Sequence, residues 1–394
     1  MGAPANRCYE FSRRWVARGH RVSVVCGIPN HPTGKLYPGY SKKLLQHEVI
    51  EGIHVYRSWV FVTPNAGTVK RAFNFLSYAC SSIIASEVIR DVDIVIASSP
   101  QFLTGVSGVL VQHAKRIPLC LEIRDLYPDS IDAVNASLPS FIMRALRYIE
   151  KKLYYAADRI VIVSDGFREH IRAIGIDDRK VRTVPNGSSP MNGRAPFGKE
   201  NAILKNLSAE TFLVTYQGTI GMAHGLEVVL ESARRLESIP DIRFLLVGEG
   251  AEKAQLQKQA INCENVTFVD RQPRNIVAEI QRRSDAALVL LRKNPLFKTV
   301  IPSKMFEAMG AGTPLIVGVE GEAKKILDAA EAGIAIEPEN AAALTAAIEY
   351  LYANRKEGKA FGKRGKSFVE KYFNLDALAI QYLDVLEAMV EPCL

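Results

Sequence analysis

The sequence predicts an α/β protein built from two Rossmann-like domains that face each other across a cleft. Three observations predict it: strands alternate with helices along both halves of the chain, an aperiodic segment separates the halves, and 394 residues suit two domains of ordinary size. The separating segment, 188–200, is rich in Ser, Pro, Gly and Asn, which is typical of an interdomain linker. Such alternation gives a parallel sheet with helices on both of its faces.

The N-terminal half, residues 1–187, contains short β-branched runs bounded by turn residues, and longer segments whose apolar residues recur with helical spacing. Its predicted strands are Arg21–Cys26, Ile53–Val60, Ile94–Ala97, Leu119–Ile123, Arg159–Val163 and a short strand from Val181. Its predicted helices are Arg7–Arg18, Val69–Ile89, Thr104–Lys115 and Ser140–Ala157.

The C-terminal half, residues 201–374, repeats the alternation, and a final helix within 375–394 is predicted to cross back to the N-terminal domain. Its predicted strands are Phe212–Tyr216, Arg243–Val247, Val266–Val269, Ala286–Leu291 and Pro314–Val317. Its predicted helices are Leu226–Leu236, Glu252–Ala260, Asn275–Ser284 and Lys304–Met309, and the crossing helix is Leu375–Met389. We expect a ligand in the crevice between the halves, at the carboxyl ends of the strands.

The first residues depart from this pattern. The chain opens at Met1-Gly2 in a glycine loop and enters a helix at once, whereas a Rossmann half normally begins with a central strand. Loss of a central strand would leave two ladders of backbone donors and acceptors without partners. We therefore expect a gene product that starts upstream of Met1, with the first strand missing from this sequence.

Charge is distributed unevenly along the chain. Residues 1–187 hold 25 Lys and Arg against 16 Asp and Glu, whereas 188–394 hold 25 against 26, so the excess of +8 lies in the N-terminal half. That half suits an anionic partner such as phosphates or an acidic membrane, with an ordinary basic surface as the alternative.

The six cysteines lack CxxC or zinc spacing, which indicates buried thiols in a reducing compartment. Neither a signal peptide nor a run long enough to span a bilayer is evident.

The segment 297–316 carries the strongest chemical signal. A helix is predicted to begin near Ser303, and the free backbone N–H groups at a helix N-terminus bind phosphate. Glu307 lies one turn into this helix, where its carboxylate can accept hydrogen bonds from two neighbouring ribose hydroxyls. Gly310 and Gly312 are predicted to end the helix. The alternative is an ordinary helix with a surface glutamate and a glycine C-cap.

This segment resembles the donor-binding motif of glycosyltransferase family 4, a family of retaining enzymes with the GT-B fold. The resemblance is closest to bacterial members that build O-antigen and capsule repeats, including fucosamine transferases, and it covers essentially the whole chain apart from the first strand. Further matching segments are 9–11, 29–35, 98–100, 122–130, 218–226 and 247–250. The resemblance implies a retaining, hexosyltransferase-type enzyme whose donor is a UDP-sugar.

The resemblance also implies which residues bind the donor. Glu307 matches the second acid of the family's paired-glutamate motif, but Thr299 stands where the first acid is expected. The basic pair on the diphosphate falls at Thr219 and His224, so a charged His224, Lys304 and helix N-terminal amides would balance the leaving group. A neutral His224 that caps a turn is the alternative. The predicted donor-binding residues are Glu307, Lys304, Ser303, Thr299, Val300, Ile301, Gly218, His224, Gly248 and Arg271.

In the N-terminal domain, Arg124 and Asp125 follow the strand Leu119–Ile123 and are predicted to point into the cleft as catalytic residues. The resemblance places Arg124 where many members carry a catalytic-site histidine. Asp125 is the candidate that activates or orients the acceptor hydroxyl, with Asp129 and Glu122 as second choices. An Arg–Asp ion pair that closes a loop is the structural alternative. The predicted acceptor-side residues are Gly2, Arg7, His31, Ser99 and Asp129.

Two other patterns are rejected as sites. The segment 91–93 matches a metal-binding DxD motif, but it precedes a strand and so lies away from the crevice. The segment 248–253 lacks the third glycine of a dinucleotide fingerprint, which argues against an NAD site. We therefore expect no metal, no cofactor and no nucleic-acid partner.

Two basic amphipathic stretches, 69–89 and 140–155, suit contact with anionic lipid, although their apolar faces could simply cover the sheet. The sequence and the resemblance together predict a cytoplasmic transferase, peripheral at the inner face of the cytoplasmic membrane. It would pass an N-acetylated deoxyhexosamine or a hexose to a lipid-linked saccharide during synthesis of a cell-surface polysaccharide. A sugar-nucleotide epimerase of the same layout and a non-catalytic sugar-nucleotide-binding protein stay open as alternatives.

Overall fold

The computed structural model describes residues 3–30, 34–63, 68–99, 101–133, 138–189, 203–205, 207–208 and 210–390. Its helices are α1 (Ala3–Val16), α2 (Thr68–Glu87), α3 (Phe102–Lys115), α4 (Asp129–Ala133), α5 (Ser140–Ala156), α6 (Arg168–Ala173), α7 (Glu227–Arg235), α8 (Lys253–Gln259), α9 (Arg274–Arg283), α10 (Ser303–Ala311), α11 (Glu322–Ala330), α12 (Ala341–Ala353), α13 (Arg355–Tyr372) and α14 (Leu375–Val390).

Its strands are β1 (Ser23–Gly27), β2 (Leu45–Ile50), β3 (Ile53–Ser58), β4 (Val95–Ser98), β5 (Leu119–Ile123), β6 (Arg159–Ile162), β7 (Val181–Thr183), β8 (Phe212–Gln217), β9 (Ile242–Val247), β10 (Val266–Val269), β11 (Ala286–Leu290), β12 (Leu315–Gly318) and β13 (Gly333–Ala335). Short 3-10 turns occupy Asp165–Phe167, Asp178–Lys180 and Pro295–Thr299.

The C-terminal half forms one six-stranded parallel sheet with the order β10-β9-β8-β11-β12-β13. This is the strand order of a Rossmann fold, and the order reverses between β8 and β11. Both faces of the sheet carry apolar cores, because the central strands are buried on both sides and alternate their side chains between two helical layers. The α/β architecture predicted for this half is confirmed.

The strands of the N-terminal half form two sheets. One is parallel, with the order β4-β5-β6-β7, and the other has the order β1-β3-β2, in which β2 runs antiparallel to β3. The hairpin strand β2 was not predicted. Its turn is Glu51-Gly52, both with positive φ, and a non-glycine residue in that conformation gives a weak turn signal in the sequence.

The helix α14 packs against the N-terminal domain, where the sequence predicted the last helix to cross. The indole nitrogen of Trp15 donates to the carbonyl of Ala379 over 2.9 Å, and Tyr382 packs edge-on against the rings of Phe11 and Trp15. The predicted linker lies mostly outside the described residues, but Ser188 bridges Asn374, so the two chain crossings between the domains run side by side.

Arg7 is a structural residue of this domain, which corrects its assignment to the acceptor side. Its guanidinium donates to Oε1 of Glu122 over 2.9 Å and to the carbonyls of Val184 and Pro185 over 2.8 and 2.7 Å. Burial alone would raise the pKa of Glu122, but Arg7, Arg124 and a hydrogen bond from Ser98 hold it below its ordinary value. Arg7 is therefore engaged in joining α1 to β5 and to the segment after β7.

Replacement of Arg7 by Met should destabilise the protein by about 3–5 kcal/mol, because it leaves the buried Glu122 carboxylate and two carbonyls without their partner. Urea unfolding followed by circular dichroism measures the loss. Arg21→Met is the control, because Arg21 is exposed and its partners are two surface carbonyls and the exposed carboxylate of Asp91. Equal stabilities of the two variants would contradict the structural role, and Glu122→Gln added to Arg7→Met should recover part of the loss.

Candidate functional site

The strand order of the C-terminal sheet reverses between β8 and β11, and the position above the carboxyl ends of these two strands is where the donor crevice is expected. Rossmann folds bind nucleotides at this kind of position, because the loops that leave the two strands turn in opposite directions. The structure brings three predicted donor segments together here. They are the glycine loop after β8, the glycine loop after β9 and the start of α10.

The two glycine loops lie backbone against backbone. Gly218 and Gly248 have φ values of +138° and +152°, and a Cβ on Gly248 would overlap the carbonyl oxygen of Gly218. A Cβ on Gly250 would likewise overlap the carbonyl of Ile220, whose N–H donates to the carbonyl of Glu249 over 2.9 Å. Glycine is required at positions 248 and 250 because only its absent side chain lets the loops approach so closely, and at position 218 because of the positive φ.

Lys304 carries a buried ammonium group into this crevice. Its Nζ lies 3.8 Å from the ring centroid of Tyr216 and close to Gly218, and it has no hydrogen-bond partner among the described residues. Burial lowers the pKa of Lys304 to about 7, an effect that the nearby Glu307 carboxylate opposes. A buried ammonium without an acceptor is costly unless a ligand supplies one, so this group points to an anion.

The start of α10 offers further anion-binding groups. The helix begins at Ser303 after Pro302, and no side chain caps it, so no side chain competes with an anion for its first amides. Glu307 lies one turn later with its side chain exposed in the crevice. The surrounding protein raises the pKa of Glu307 by desolvation, while Arg274 and Lys304 oppose the shift. The predicted residues Ser303, Lys304 and Glu307 therefore line one wall of the crevice.

His224 lies beside Lys304 but not in the charged state expected of a diphosphate ligand. Burial and the neighbouring Lys304 lower the pKa of His224 to about 3, so the imidazole is neutral near pH 7. Its Nδ1 is 3.2 Å from the carbonyl of Leu290, which fixes the hydrogen on Nδ1 and leaves Nε2 as an acceptor. The expectation of a charged His224 is corrected to the alternative of a neutral histidine.

Thr299 and Val300 lie at the contact between the domains rather than along the crevice. The hydroxyl of Thr299 donates to the carbonyl of Leu296 over 2.7 Å, and its carbonyl accepts from Ser164 of the N-terminal domain over 2.5 Å. The side chain of Val300 packs against the cores of both domains, and its N–H donates to Phe297 over 3.3 Å.

Ile301 is buried in the C-terminal core. The side chains of the three residues 299–301 are therefore committed to packing, and the assignment of these residues to the donor stays a prediction that concerns their backbone amides.

Arginines after β10 stand at the edge of the crevice. The predicted Arg271 is exposed and makes no ion pair within the part of the chain that the structure describes. Arg274, which sequence reasoning missed, is the first residue of α9 and lies near enough to Glu307 to lower its pKa. Tyr216 was also missed, since an inward-facing tyrosine in a strand resembles any other core residue. The basic residue at a helix start after a strand is the one signal that could have identified Arg274.

On the N-terminal side, Arg124 and Asp125 follow β5 as predicted. The backbone N–H of Arg124 donates to the hydroxyl of Ser99 over 2.8 Å. Asp125 lines a small recess whose walls are mainly aromatic and polar. Burial raises the pKa of Asp125 to about 6, although Arg124 opposes the shift. The other lining residues include Ser99, Gln101, Phe102, Tyr127, Glu150 and Tyr154.

Asp129 belongs to a charged cluster at the start of α4. Its carboxylate accepts from Arg147 over 3.1 Å and lies 3.7 Å from Nδ1 of His170, whose Nε2 is 2.9 Å from the buried Glu150. These contacts hold α4, α5 and α6 together, so the carboxylate of Asp129 is engaged in joining these helices. The predicted acceptor-side residues Gly2 and His31 lie outside the described residues.

Of the two rejected patterns, the segment 91–93 lies away from this crevice, whereas Gly248 and Gly250 of the segment 248–253 belong to the loop after β9 that borders it. Asp91 sits in an exposed turn and pairs with Arg21 over 3.8 Å. Lys253, in the position of the absent third glycine, is bound to Glu249 over 2.8 Å and to Asp270. Among the described residues, no three His, Cys, Asp or Glu side chains group as a metal-binding set. No described helix combines the length and apolar character needed to cross a bilayer.

Comparisons with known proteins agree with this architecture. The chain is 25% identical over 349 residues to "Putative colanic acid biosynthesis glycosyl transferase WcaI" of Escherichia coli K12, which covers 85% of each chain. The structure resembles sucrose-phosphate synthase from Thermosynechococcus elongatus with a TM-score of 0.75 and 18% identity, over 98% and 94% of the two chains. It also resembles Anabaena HepE in complex with UDP and glucose with a TM-score of 0.67 and 14% identity, over 86% and 87%.

Two family descriptions divide the chain between them. Residues 2–187 match the glycosyl transferase 4-like domain, and residues 199–368 match glycosyl transferases group 1. The parallel sheets and the crevice agree with the GT-B fold of the structural neighbours. The two halves of the chain therefore carry a glycosyl transferase 4-like domain followed by a glycosyl transferases group 1 domain, and the chain has the GT-B fold of its structural neighbours.

Proposed function

We propose that this glycosyltransferase moves a sugar from a UDP-sugar to a hydroxyl of a lipid-linked saccharide during synthesis of a cell-surface polysaccharide. The observation that carries the proposal is the buried, unpartnered Nζ of Lys304 beside the uncapped start of α10, one turn before Glu307. That arrangement fits a diphosphate followed by a ribose. The UDP and glucose complex of HepE and the colanic acid role in the name of WcaI support the choice of donor and pathway class.

We propose a separate task for each donor contact. The ammonium of Lys304 and the first amides of α10 stabilise the negative charge that grows on the diphosphate as the sugar leaves. The carboxylate of Glu307 accepts from the ribose hydroxyls and fixes the nucleotide. The neutral Nε2 of His224 accepts a hydrogen bond and contributes no charge. Lys304 is then the main cation on the leaving group, and the sugar is transferred with retention, as the resemblance implies.

Asp125 is the proposed acceptor-side group. It follows β5 at the same edge as Arg124, and its raised pKa of about 6 leaves it ionised at neutral pH yet able to take a proton from a hydroxyl. Its role is to orient and polarise the acceptor hydroxyl, while the donor side supplies the leaving-group stabilisation.

Thr299 favours one alternative function, that of a non-catalytic sugar-nucleotide-binding protein. The residue that stands where the family carries its first glutamate is turned into the domain contact, so the usual carboxylate near the transferred sugar is absent from that position. A non-catalytic sugar-nucleotide-binding protein would tolerate this change. Incubation with a panel of UDP-sugars, with and without lipid-linked saccharide, decides the case. Transfer that depends on the acceptor supports the proposal, epimerised nucleotide supports an epimerase, and binding without turnover supports the alternative.

We further propose that the N-terminal domain lies on the inner face of the cytoplasmic membrane. The helices α2, α3 and α5 form one layer, since α3 contacts both of the others. This layer exposes an unusual set of large apolar side chains, interspersed with exposed basic residues of α5. The apolar residues are Phe73, Leu76, Ile84, Val88, Leu110, Phe141, Tyr148 and Tyr155, and the basic ones are Arg144, Arg147, Lys151 and Lys152. Mixed aromatic and basic surfaces suit anionic lipid.

Lys304→Met should weaken UDP binding about 30- to 100-fold, because a charge-assisted contact to the diphosphate is lost. Calorimetry at several pH values adds a second test. Above pH 7 the free wild-type protein must take up a proton to present an ammonium, so its Kd should rise by up to tenfold per pH unit.

In Lys304→Met the rise of the Kd for UDP above pH 7 should vanish. Glu307→Ala should weaken UDP binding to a similar extent but keep this rise. Unchanged affinity in both variants would rule out the donor site.

Asp125→Asn should lower kcat at least 100-fold with a smaller change in donor affinity, since a base is lost. The raised pKa means that folding favours the protonated carboxyl, so this stabilisation is full below about pH 4 and is lost as pH rises through about 6.

The neutral amide should therefore stabilise the protein by about 1–3 kcal/mol at pH 8 and not at pH 4, as thermal unfolding would show. Asp93→Asn, at an exposed site of the same domain, should change neither quantity. Equal losses of kcat and donor affinity would argue against the acceptor role of Asp125.

Leu76→Ser with Ile84→Ser should reduce sedimentation with vesicles of phosphatidylglycerol and phosphatidylcholine more than tenfold, because two exposed apolar side chains no longer enter the interface. Ile261→Ser is the control. Ile261 is 79% exposed on the C-terminal domain, so its loss should leave vesicle binding unchanged. Equal binding by all three proteins would contradict the assignment of this layer to the membrane.

A further inference from the structure

Arg274 links the two domains at the edge of the donor crevice. Its Nη1 lies 2.5 Å from Oε1 of Glu10, a residue of α1 in the N-terminal domain. The same guanidinium lies close enough to Glu307 to oppose the rise that burial causes in the pKa of that carboxyl. One arginine of the C-terminal domain therefore stands between the ribose-binding carboxylate and a carboxylate of the opposite domain.

The carboxylate of Glu10 has two further arginine partners besides Arg274. Its side chain is 3% exposed and is also bound by Arg13 over 2.8 Å and by Arg14 over 2.5 Å, both from its own helix. Burial opposes ionisation, but the three guanidinium groups lower the pKa of Glu10 to about 2. Because two of the three partners belong to α1, departure of Arg274 does not leave a buried carboxylate unpaired. The contact across the domains can thus break without the large penalty of an isolated buried charge.

The cluster also touches the segments through which the domains are connected. Arg14 donates to Asp376 of α14 over 2.6 Å and to the hydroxyl of Ser189, just after the Ser188–Asn374 bridge, over 3.0 Å. A change in the angle between the domains would therefore alter the surroundings of Glu10 and the reach of Arg274 together.

We infer that Arg274 is a positioning residue whose ion pair with Glu10 holds the domains closed over the bound donor. The inference rests on the proposed function, since it takes Glu307 as the ribose contact beside which the pair forms. Closure brings the acceptor side of the N-terminal domain to the sugar, so loss of the pair reduces the closed population and leaves the donor contacts in place.

The test compares Arg274→Ala, Arg274→Lys, Glu10→Gln and the double variant Glu10→Gln/Arg274→Ala. Arg13→Ala is the matched control, because it removes an arginine from the same carboxylate without crossing between the domains. Three quantities are measured: the radius of gyration by small-angle X-ray scattering, the Kd for UDP, and kcat. Arg274 is 60% exposed, so its truncation should leave the fold intact.

We expect Arg274→Ala to enlarge the radius of gyration of the free protein and to lower kcat about tenfold, with Kd for UDP changed less than threefold. The kcat of the double variant should be no lower than that of either single variant. Arg274→Lys should recover most of kcat, and the kcat of Arg13→Ala should stay within twofold of the wild-type value.

A radius and kcat unchanged in Arg274→Ala would overturn the inference, as would a loss confined to UDP affinity, which would make Arg274 a donor ligand. If the wild type binds no UDP, the proposed donor site fails, while the radius of gyration of the free variants still decides whether the pair closes the domains.

Discussion

The donor crevice depends on a contact between two stretches of bare backbone. Where β8 and β9 end, Gly248 and Gly250 let the two loops approach to distances that any side chain there would forbid. These loops lie beside the reversal of strand order between β8 and β11. Tyr216 and the ammonium of Lys304 are buried next to them, with Nζ 3.8 Å from the ring centroid of Tyr216. A single methyl group on Gly248 would push the loops apart and disturb the crevice.

The electrostatics of the crevice are simpler than the family motif implied. A charged histidine was expected, yet His224 is neutral, and Thr299, which the sequence already placed where the family carries its first acid, is turned towards the other domain. Lys304, in the first turn of α10 as predicted, is the basic group that remains beside His224. Burial against Tyr216 keeps its ammonium poorly solvated in the free protein, and a poorly solvated cation gains most when an anion arrives.

The 3-10 turn Pro295–Thr299 forms part of the contact between the domains. Leu296 and Val300 pack against the hydrophobic cores of both domains, and Ser164 donates a hydrogen bond to the carbonyl of Thr299. The domains are thus joined by an apolar contact at this turn and by charged groups around Glu10.

Strand–helix alternation and the glycine-rich turns identified the fold, because a parallel sheet buried on both faces leaves a strong apolar pattern in the sequence. The hairpin strand β2 was not predicted, because Glu51 in its turn adopts a positive φ that the sequence gives little reason to expect.

The sequence alone also determined that Ser303, Lys304 and Glu307 share the start of one helix, since helical spacing fixes neighbours within a turn. Only the tertiary structure decided that Nδ1 of His224 donates to the carbonyl of Leu290, that Arg7 pairs with Glu122, and that Arg274 pairs with Glu10. Those outcomes depend on burial and on partners more than 60 residues away, and neither quantity is encoded in local spacing.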